Sequence, residues 1–440
     1  MKNIKWIMIV LGVILIILIV TVAFMLSSTN DNQNNEIGDV GLVEDFENNQ
    51  IEEVTNSTNF YTVSNIVNQY LDIINKNSSI YYGYDENNNY VRIVSDEQIA
   101  TNVYGMLSEN YITSNNITES NVFNYVDSIT ENITFLPTKM NVLERENIQI
   151  YSVYGIEYTL NNTYLKDAYF IVTLDRNNST FSIEPLDSEY SSIDDIELQN
   201  NNDISIEPTS YNTYVETSVN YEDVSKNYIY SYKTLALVKP DMAYNLLDEE
   251  YRNQKFGSLE NYESYVNNNR QTIQQINLQQ YQVNNYDDYT QYVMIDKNGK
   301  YYIFNETAVM DYTLMLDTYT IDLPEFTERY NSGTDQVKVG MNLEKIFSAL
   351  NDGDYEYVYN KLDSTFRQNN FPTLSDFENY VSENLYISMD VTYGKYQTSG
   401  NLNVYEVNIK EKNNENSNTI TKNFIMQLGE GTDFVMSFNV

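Results

Sequence analysis

Two stretches of this chain can be laid on each other without a gap. Tyr244 to Val266 reads YNLLDEEYRNQKFGSLENYESYV, and Tyr359 to Val381 reads YNKLDSTFRQNNFPTLSDFENYV. Tyr244, Leu247 and Tyr251 are spaced three and then four apart, and Tyr359, Leu362 and Phe366 match them. That spacing predicts one apolar helix face. A break follows at Phe256-Gly257-Ser258 and at Phe371-Pro372-Thr373. Ser258 and Thr373 are good N-caps for a second helix. Leu259, Tyr262, Tyr265 and Val266 line its apolar face, matched by Leu374, Phe377, Tyr380 and Val381. Phe256 and Phe371 are expected to fold back onto that face, as a hydrophobic staple does. A fainter copy, VYGMLSENYITSNNITESNVFNYV, places Tyr104, Leu107 and Tyr111 at the same spacing, with Thr118 as the expected cap.

Alternating segments rich in β-formers follow each copy. They include IQIYSVYGIEYTL and YFIVTLDRNNSTFSIEPL after the first, YTQYVMIDKNGKYYIFN and YTLMLDTYTIDLP after the second, and LNVYEVNIKEKN and NFIMQLGEGTDFVMSF after the third. An amphipathic segment precedes each copy, such as FYTVSNIVNQYLDIINKN and MNLEKIFSALNDG. A unit of this kind is too large for a solenoid repeat and the right size for a whole domain. IYYGYDENNNYVRIVS reads as an added hairpin in the first unit.

Trp6 to Leu26 is an uncharged run of 21 residues. A bilayer-spanning helix needs about 20. Lys2 and Lys5 precede the run, and no Lys or Arg follows until Lys76. The positive-inside rule then predicts a cytoplasmic N-terminus and a chain that lies outside the cell. A cleaved signal peptide is the competing reading, but its apolar region is usually shorter, about 7–15 residues.

The expected fold class is therefore α+β: an N-terminal transmembrane helix, then three modules, each of about three helices packed on a curved antiparallel sheet. The expected organisation is a cytoplasmic tail over 1–5, a transmembrane helix over 6–26 and a flexible acidic linker over 27–55. Modules then span 56–187, 213–323 and 339–440, joined by linkers over 188–212 and 324–338.

Helices two and three of each unit, as in DYEYVYNKLDSTFRQNNFPTLSDFENYV, followed by an antiparallel sheet, resemble the nuclear-transport-factor-2-like family, the cystatin-like cone. The resemblance covers most of the chain, as three tandem modules. It implies a cone that can be an open pocket, and a place on a single-pass bacterial envelope protein. It does not imply one function, since the family includes enzymes, binders and scaffolds. Related isomerases and dehydratases use Asp, Tyr and His in that pocket.

Composition removes several chemistries. The chain has no Cys and no His. Disulfides, thiolate metal sites, Ser-His-Asp triads and His bases are excluded. The formal net charge of −38 repels phosphate backbones, so no nucleic-acid partner is expected. A Tyr-plus-carboxylate site remains chemically possible. Tyr244, Tyr359, Asp248 and Asp363 recur in the repeats and are read as packing residues and turn contacts. Asp85 to Asp96 has part of a calcium-loop spacing, but Tyr90 stands where Gly is required. Asp85, Asp175 and Asp296 each read as the start of a hairpin turn, with Gly299 supplying positive φ in the last.

The chain is expected to be non-enzymatic: a binding or scaffolding protein of the cell envelope, held by its N-terminal helix and contacting an envelope protein partner. No catalytic, cofactor-binding or metal-ligating residue is singled out, no cofactor is expected, and nothing in the sequence fixes an oligomeric state. The rivals are a pocket enzyme or small-ligand binder in one module, and a passive spacer.

Overall fold

The helices of each unit break where a buried leucine touches the sheet, and this sets the architecture. The computed structural model describes residues 52–54, 56–75, 82–128, 133–145, 147–186, 205–209, 211–414 and 416–440. In the first unit β1 (Glu52–Glu53) leads into α1 (Ser57–Ile74). The hairpin β2 (Tyr82–Tyr84) and β3 (Tyr90–Arg92) follows, then α2 (Asp96–Met106), α3 (Glu109–Ser114) and α4 (Val122–Ser128). The sheet strands are β4 (Ile133–Glu144), β5 (Ile148–Thr159), β6 (Tyr164–Asp175) and β7 (Thr180–Leu186).

The second unit comprises α5 (Tyr221–Val238), α6 (Pro240–Leu246), α7 (Glu249–Lys255), α8 (Leu259–Asn268) and α9 (Arg270–Gln274). Its strands are β8 (Leu278–Asn285), β9 (Thr290–Asp296), β10 (Tyr301–Ala308) and β11 (Asp311–Met315). After α10 (Pro324–Ser332), the third unit comprises α11 (Asp335–Asp352), α12 (Tyr355–Asn360), α13 (Ser364–Asn370) and α14 (Leu374–Asn384). It ends in β12 (Met389–Ser399), β13 (Leu402–Glu411), β14 (Ile420–Leu428) and β15 (Phe434–Phe438).

Each sheet is an antiparallel meander: β4 to β7 with β1 added outside β4, β8 to β11, and β12 to β15. Register shifts at Pro137/Lys139, Glu306/Ala308 and Tyr393/Tyr396 mark bulges, which bend the strands that carry them.

Two parts of the expected fold class need correction. Among the described residues no helix is long and apolar enough to cross a membrane, and they form an α+β architecture with several antiparallel sheets. The run Trp6 to Leu26 lies outside the described residues, as do 1–5, most of 27–55 and most of 188–212. Nor are there about three helices per unit: the described residues hold four, five and four, because the repeated segment is broken. The stretch 324–338, expected as a linker, contains α10, with Pro at its first turn and Tyr330 buried.

The break falls at the same place three times. Leu107, Leu247 and Leu362 leave the helix and form single parallel bridges to Ile183, Leu314 and Met436, on the last strand of each sheet. The next residue donates its N–H to that strand: Ser108 to Ile183 O at 3.0 Å, Asp248 to Leu314 O at 3.0 Å, Asp363 to Met436 O at 2.7 Å. Its side chain then caps the next helix, accepting from the N–H of Tyr111, Tyr251 and Phe366 at 3.0, 3.0 and 2.9 Å. Tyr244 and Tyr251 thus lie on two helices, with Leu247 at the break between them.

The second break behaves as the sequence predicts. Ser258 and Thr373 cap α8 and α14, Thr373 in a capping box with Asp376. The ring of Phe256 lies 5.1 Å from Tyr262, and that of Phe371 lies 5.4 Å from Phe377. Thr118 differs: α4 starts at Val122, and Thr118 contributes its carbonyl to the N–H groups of Asn121 and Val122.

Leu247→Ala or Leu362→Ala is expected to cost ~2–5 kcal/mol, because each side chain is buried in a core. Asp248→Ala or Asp363→Ala, which removes only a cap, should cost about 1 kcal/mol. Urea unfolding of the four variants checks the ranking; equal losses at leucine and aspartate would contradict it.

Candidate functional site

Aromatic rings pack the cores between helices and sheets. In the first unit Phe170 lies 5.1 Å from Phe135 and 6.3 Å from Tyr70, whose hydroxyl is 2.8 Å from that of Tyr125. In the second, the Tyr228 ring lies 4.5 Å from Tyr312, 5.5 Å from Phe304 and 5.5 Å from Tyr292. In the third, Phe347, Phe424, Phe371 and Phe438 pack together, and the void beside Phe377 and Met436 is about 10 Å³. That is room for one water at most.

Tyr228, Tyr292 and Glu306 form a buried Tyr-carboxylate cluster. The hydroxyls of Tyr228 and Tyr292 donate to the two oxygens of Glu306, Tyr292 at 3.0 Å. Burial and then the Glu306 charge push both phenols well above their ordinary range. The two phenols each engage one carboxylate oxygen and stay protonated, so the cluster holds α5 against β9 and β10.

A cavity of about 1160 Å³ lies between the second and third units. Each of its four lysines is paired with an aspartate. Lys255 Nζ donates to Asp317 Oδ2 at 2.9 Å, Asp354 Oδ2 at 2.5 Å and the Tyr319 hydroxyl at 2.9 Å. Asp317 is buried and saturated: it accepts from Tyr251 OH, Thr320 Oγ1 and the N–H groups of Tyr319 and Thr320. Lys345 bonds Asp322, which also accepts from Thr432 Oγ1 at 2.5 Å. Lys361 bonds Asp433 at 2.8 Å, and Lys300 lies 3.8 Å from Asp352. Burial alone would lower the Lys255 pKa, but Asp317 and Asp354 outweigh it and raise the value. Burial raises the Asp352 carboxyl, whereas the Lys361 hydrogen bond lowers Asp433. None of the four lysines is a free amine, so the cleft acts as an electrostatic joint.

The residues singled out in the sequence are not gathered at this cleft. Tyr244 and Tyr359 pack on Tyr262 and Phe377, and carry Arg252 and Arg367 over their rings at 5.4 and 4.9 Å. That arginine also recurs in the repeat, four residues after the capping aspartate. Asp85, Asp175 and Asp296 accept backbone N–H bonds two residues on, at 2.9, 2.9 and 2.8 Å, as hairpin turns require. Asp96 pairs with Arg92 instead of facing Asp85 across a calcium loop. Among the described residues no cluster of three or more acidic side chains could hold a metal ion.

No protein-family model matches the sequence, and no curated protein matches it.

Two outcomes follow from these environments. A phenol kept neutral by burial gives stability that is present below the ordinary tyrosine pKa of 10.0 and lost as pH rises toward the raised folded value. Alkaline titration should therefore show tyrosinate absorbance rising in step with loss of near-UV ellipticity; phenols that ionise while the fold persists would contradict this. Lys255→Met leaves Asp317 and Asp354 unpaired in the cleft and should cost ~3–5 kcal/mol. The loss is read as a lowered urea midpoint.

Proposed function

We propose that this chain is a non-enzymatic binding or scaffolding protein. The observation that carries the reading is the aromatic packing of the cores, which in the second and third units puts rings where a cone-like enzyme would hold its substrate. Three further features support it. Glu306, the carboxylate flanked by tyrosine hydroxyls, has both oxygens occupied. The lysines of the large cleft are spent on ion pairs. The residues shared by the repeats serve capping and packing, so duplication has multiplied a shape and not a reactive constellation. In this reading the modules are cone-like in the sense of the resembled family, and function lies on their outer surfaces. Tandem surfaces of this kind gain avidity when a partner engages more than one.

Native mass spectrometry of the full chain, affinity-purified from cells that produce it, tests this. The expected species is the chain with a protein partner in fixed ratio and no retained small molecule. A small molecule of constant mass, bound without any protein partner and released on unfolding, would establish the pocket reading instead.

A further inference from the structure

Strand β4 is covered on only part of its outer edge. β1 pairs there at Glu52↔Val142 and Glu53↔Asn141, and the Val54 N–H donates to Met140 O at 3.1 Å. On the other side of the bulge at Pro137/Lys139, no described strand pairs with this edge. The Asn75 side chain bonds both backbone groups of Ile133, accepting from its N–H at 3.0 Å and donating to its C=O at 2.8 Å. Both groups therefore point away from β5. Antiparallel ladders alternate, so the N–H and C=O of Phe135 and the C=O of Pro137 point the same way. Among the described residues none of these three groups has a hydrogen-bond partner. Pro137 itself fits an edge position, where its missing N–H costs nothing.

These groups face a groove of about 550 Å³. Its opposite wall is a stripe of α1 that carries Ser64, Asn65, Asn68 and Asp72, and Asn227 and Tyr230 of α5 close it. Ser64 and Asn65 are engaged, with Phe60 O and Thr217 Oγ1. Asn68 and Asp72 have no partner among the described residues. Phe60, Leu71 and Leu136 supply an apolar floor, and no lysine or arginine lines the groove. Ile133 to Pro137 spans four steps of about 3.4 Å, enough for about four residues of an added strand.

We propose that this groove binds an extended peptide segment of a partner protein, added as a strand to β4 between Ile133 and Pro137, with a Lys or Arg side chain set against Asp72. Three observations favour a peptide over a neutral glycan. The free backbone groups recur at strand pitch, which is the ladder that strand addition uses. The same edge already accepts one extended segment of this chain, β1, a few residues further on. Among the described residues the one carboxylate lining the groove is Asp72, on a chain of net charge −38, which selects a basic segment.

The proposal rests on the binding-protein reading and names its partner class. Its test is selection of a random heptapeptide display library on the full chain. Enriched peptides should alternate β-branched residues with Lys or Arg, and should slow hydrogen exchange at the Phe135 amide. Asn68→Trp, which fills the groove from an exposed position, should weaken them by about tenfold or more. Asp72→Lys should switch the enrichment from basic to acidic peptides, a result that unfolding could not produce. Peptides indifferent to both substitutions, or binding that leaves Phe135 exchange unchanged, would overturn the proposal. So would saturable binding of cellohexaose or chitohexaose that Asn68→Trp abolishes, because the groove would then be a glycan site. A failed selection beside a protein partner in native mass spectrometry would remove this groove and leave the binding-protein reading standing.

Discussion

The rest of the structure depends on the leucine that leaves its helix to touch the sheet. At Leu107, Leu247 and Leu362 the chain leaves one helix, forms one parallel bridge to the sheet and re-enters another helix. Each step satisfies a group that the break would orphan. The following N–H finds a strand carbonyl, and the Ser or Asp side chain takes a free N–H of the new helix. The bridge also covers part of the edge of the last strand, which would otherwise offer unpaired groups to other chains. One short motif therefore fixes helix direction, sheet edge and core depth together. This explains why its leucine, capping residue and aromatic recur while the residues between them do not.

Between units, the joints differ in chemistry. The first and second share one continuous apolar cluster, supplemented by Thr217 N–H to Thr62 Oγ1 at 2.8 Å and Lys239 to Asp167 at 3.0 Å. The second and third meet through Lys255, Asp317 and Asp354, with the third core largely separate. A buried charged joint adds little net stability against an apolar one, but it tolerates few alternative geometries, because any other pairing strands a charge. The apolar joint holds by area, and the polar joint by register.

Much of this was legible in the sequence, and what was not has identifiable physical causes. The staples at Phe256 and Phe371, the caps at Ser258 and Thr373 and the three hairpin turns follow from local side-chain chemistry. The broken helix was hidden because Tyr244, Leu247 and Tyr251 keep helical spacing across the break. The signal was present in Asp248, a strong N-cap placed three residues before an aromatic. The opening strand of each sheet was also hidden. β8 reads LQQYQVNN and carries no two-residue apolar period, and in β12 the alternation of Met389, Val391 and Tyr393 stops at the bulge before Tyr396. β4 contains Pro137, which argues against a central strand and is accommodated here by an edge. The cleft and the Glu306 cluster join residues far apart in sequence, and in a chain with 42 tyrosines no pairing of Tyr with a carboxylate stands out.

Placing polar groups on the outside and aromatics within has a consequence for how such a chain can recognise anything. In the second and third units the rings of Tyr228, Phe304 and Tyr312, and of Phe371 and Phe438, occupy the core. In the proposed binding role, recognition falls to edges and seams, where backbone groups remain unspent and two units together make a concave wall. The seam between α1, β4 and α5 meets both conditions, since its walls come from two units and one of them is an incomplete ladder. The cleft around Lys255 also lies between two units, but its lysines are already paired with aspartates. Saturated polar networks hold units in place, and unsaturated ones are left to bind.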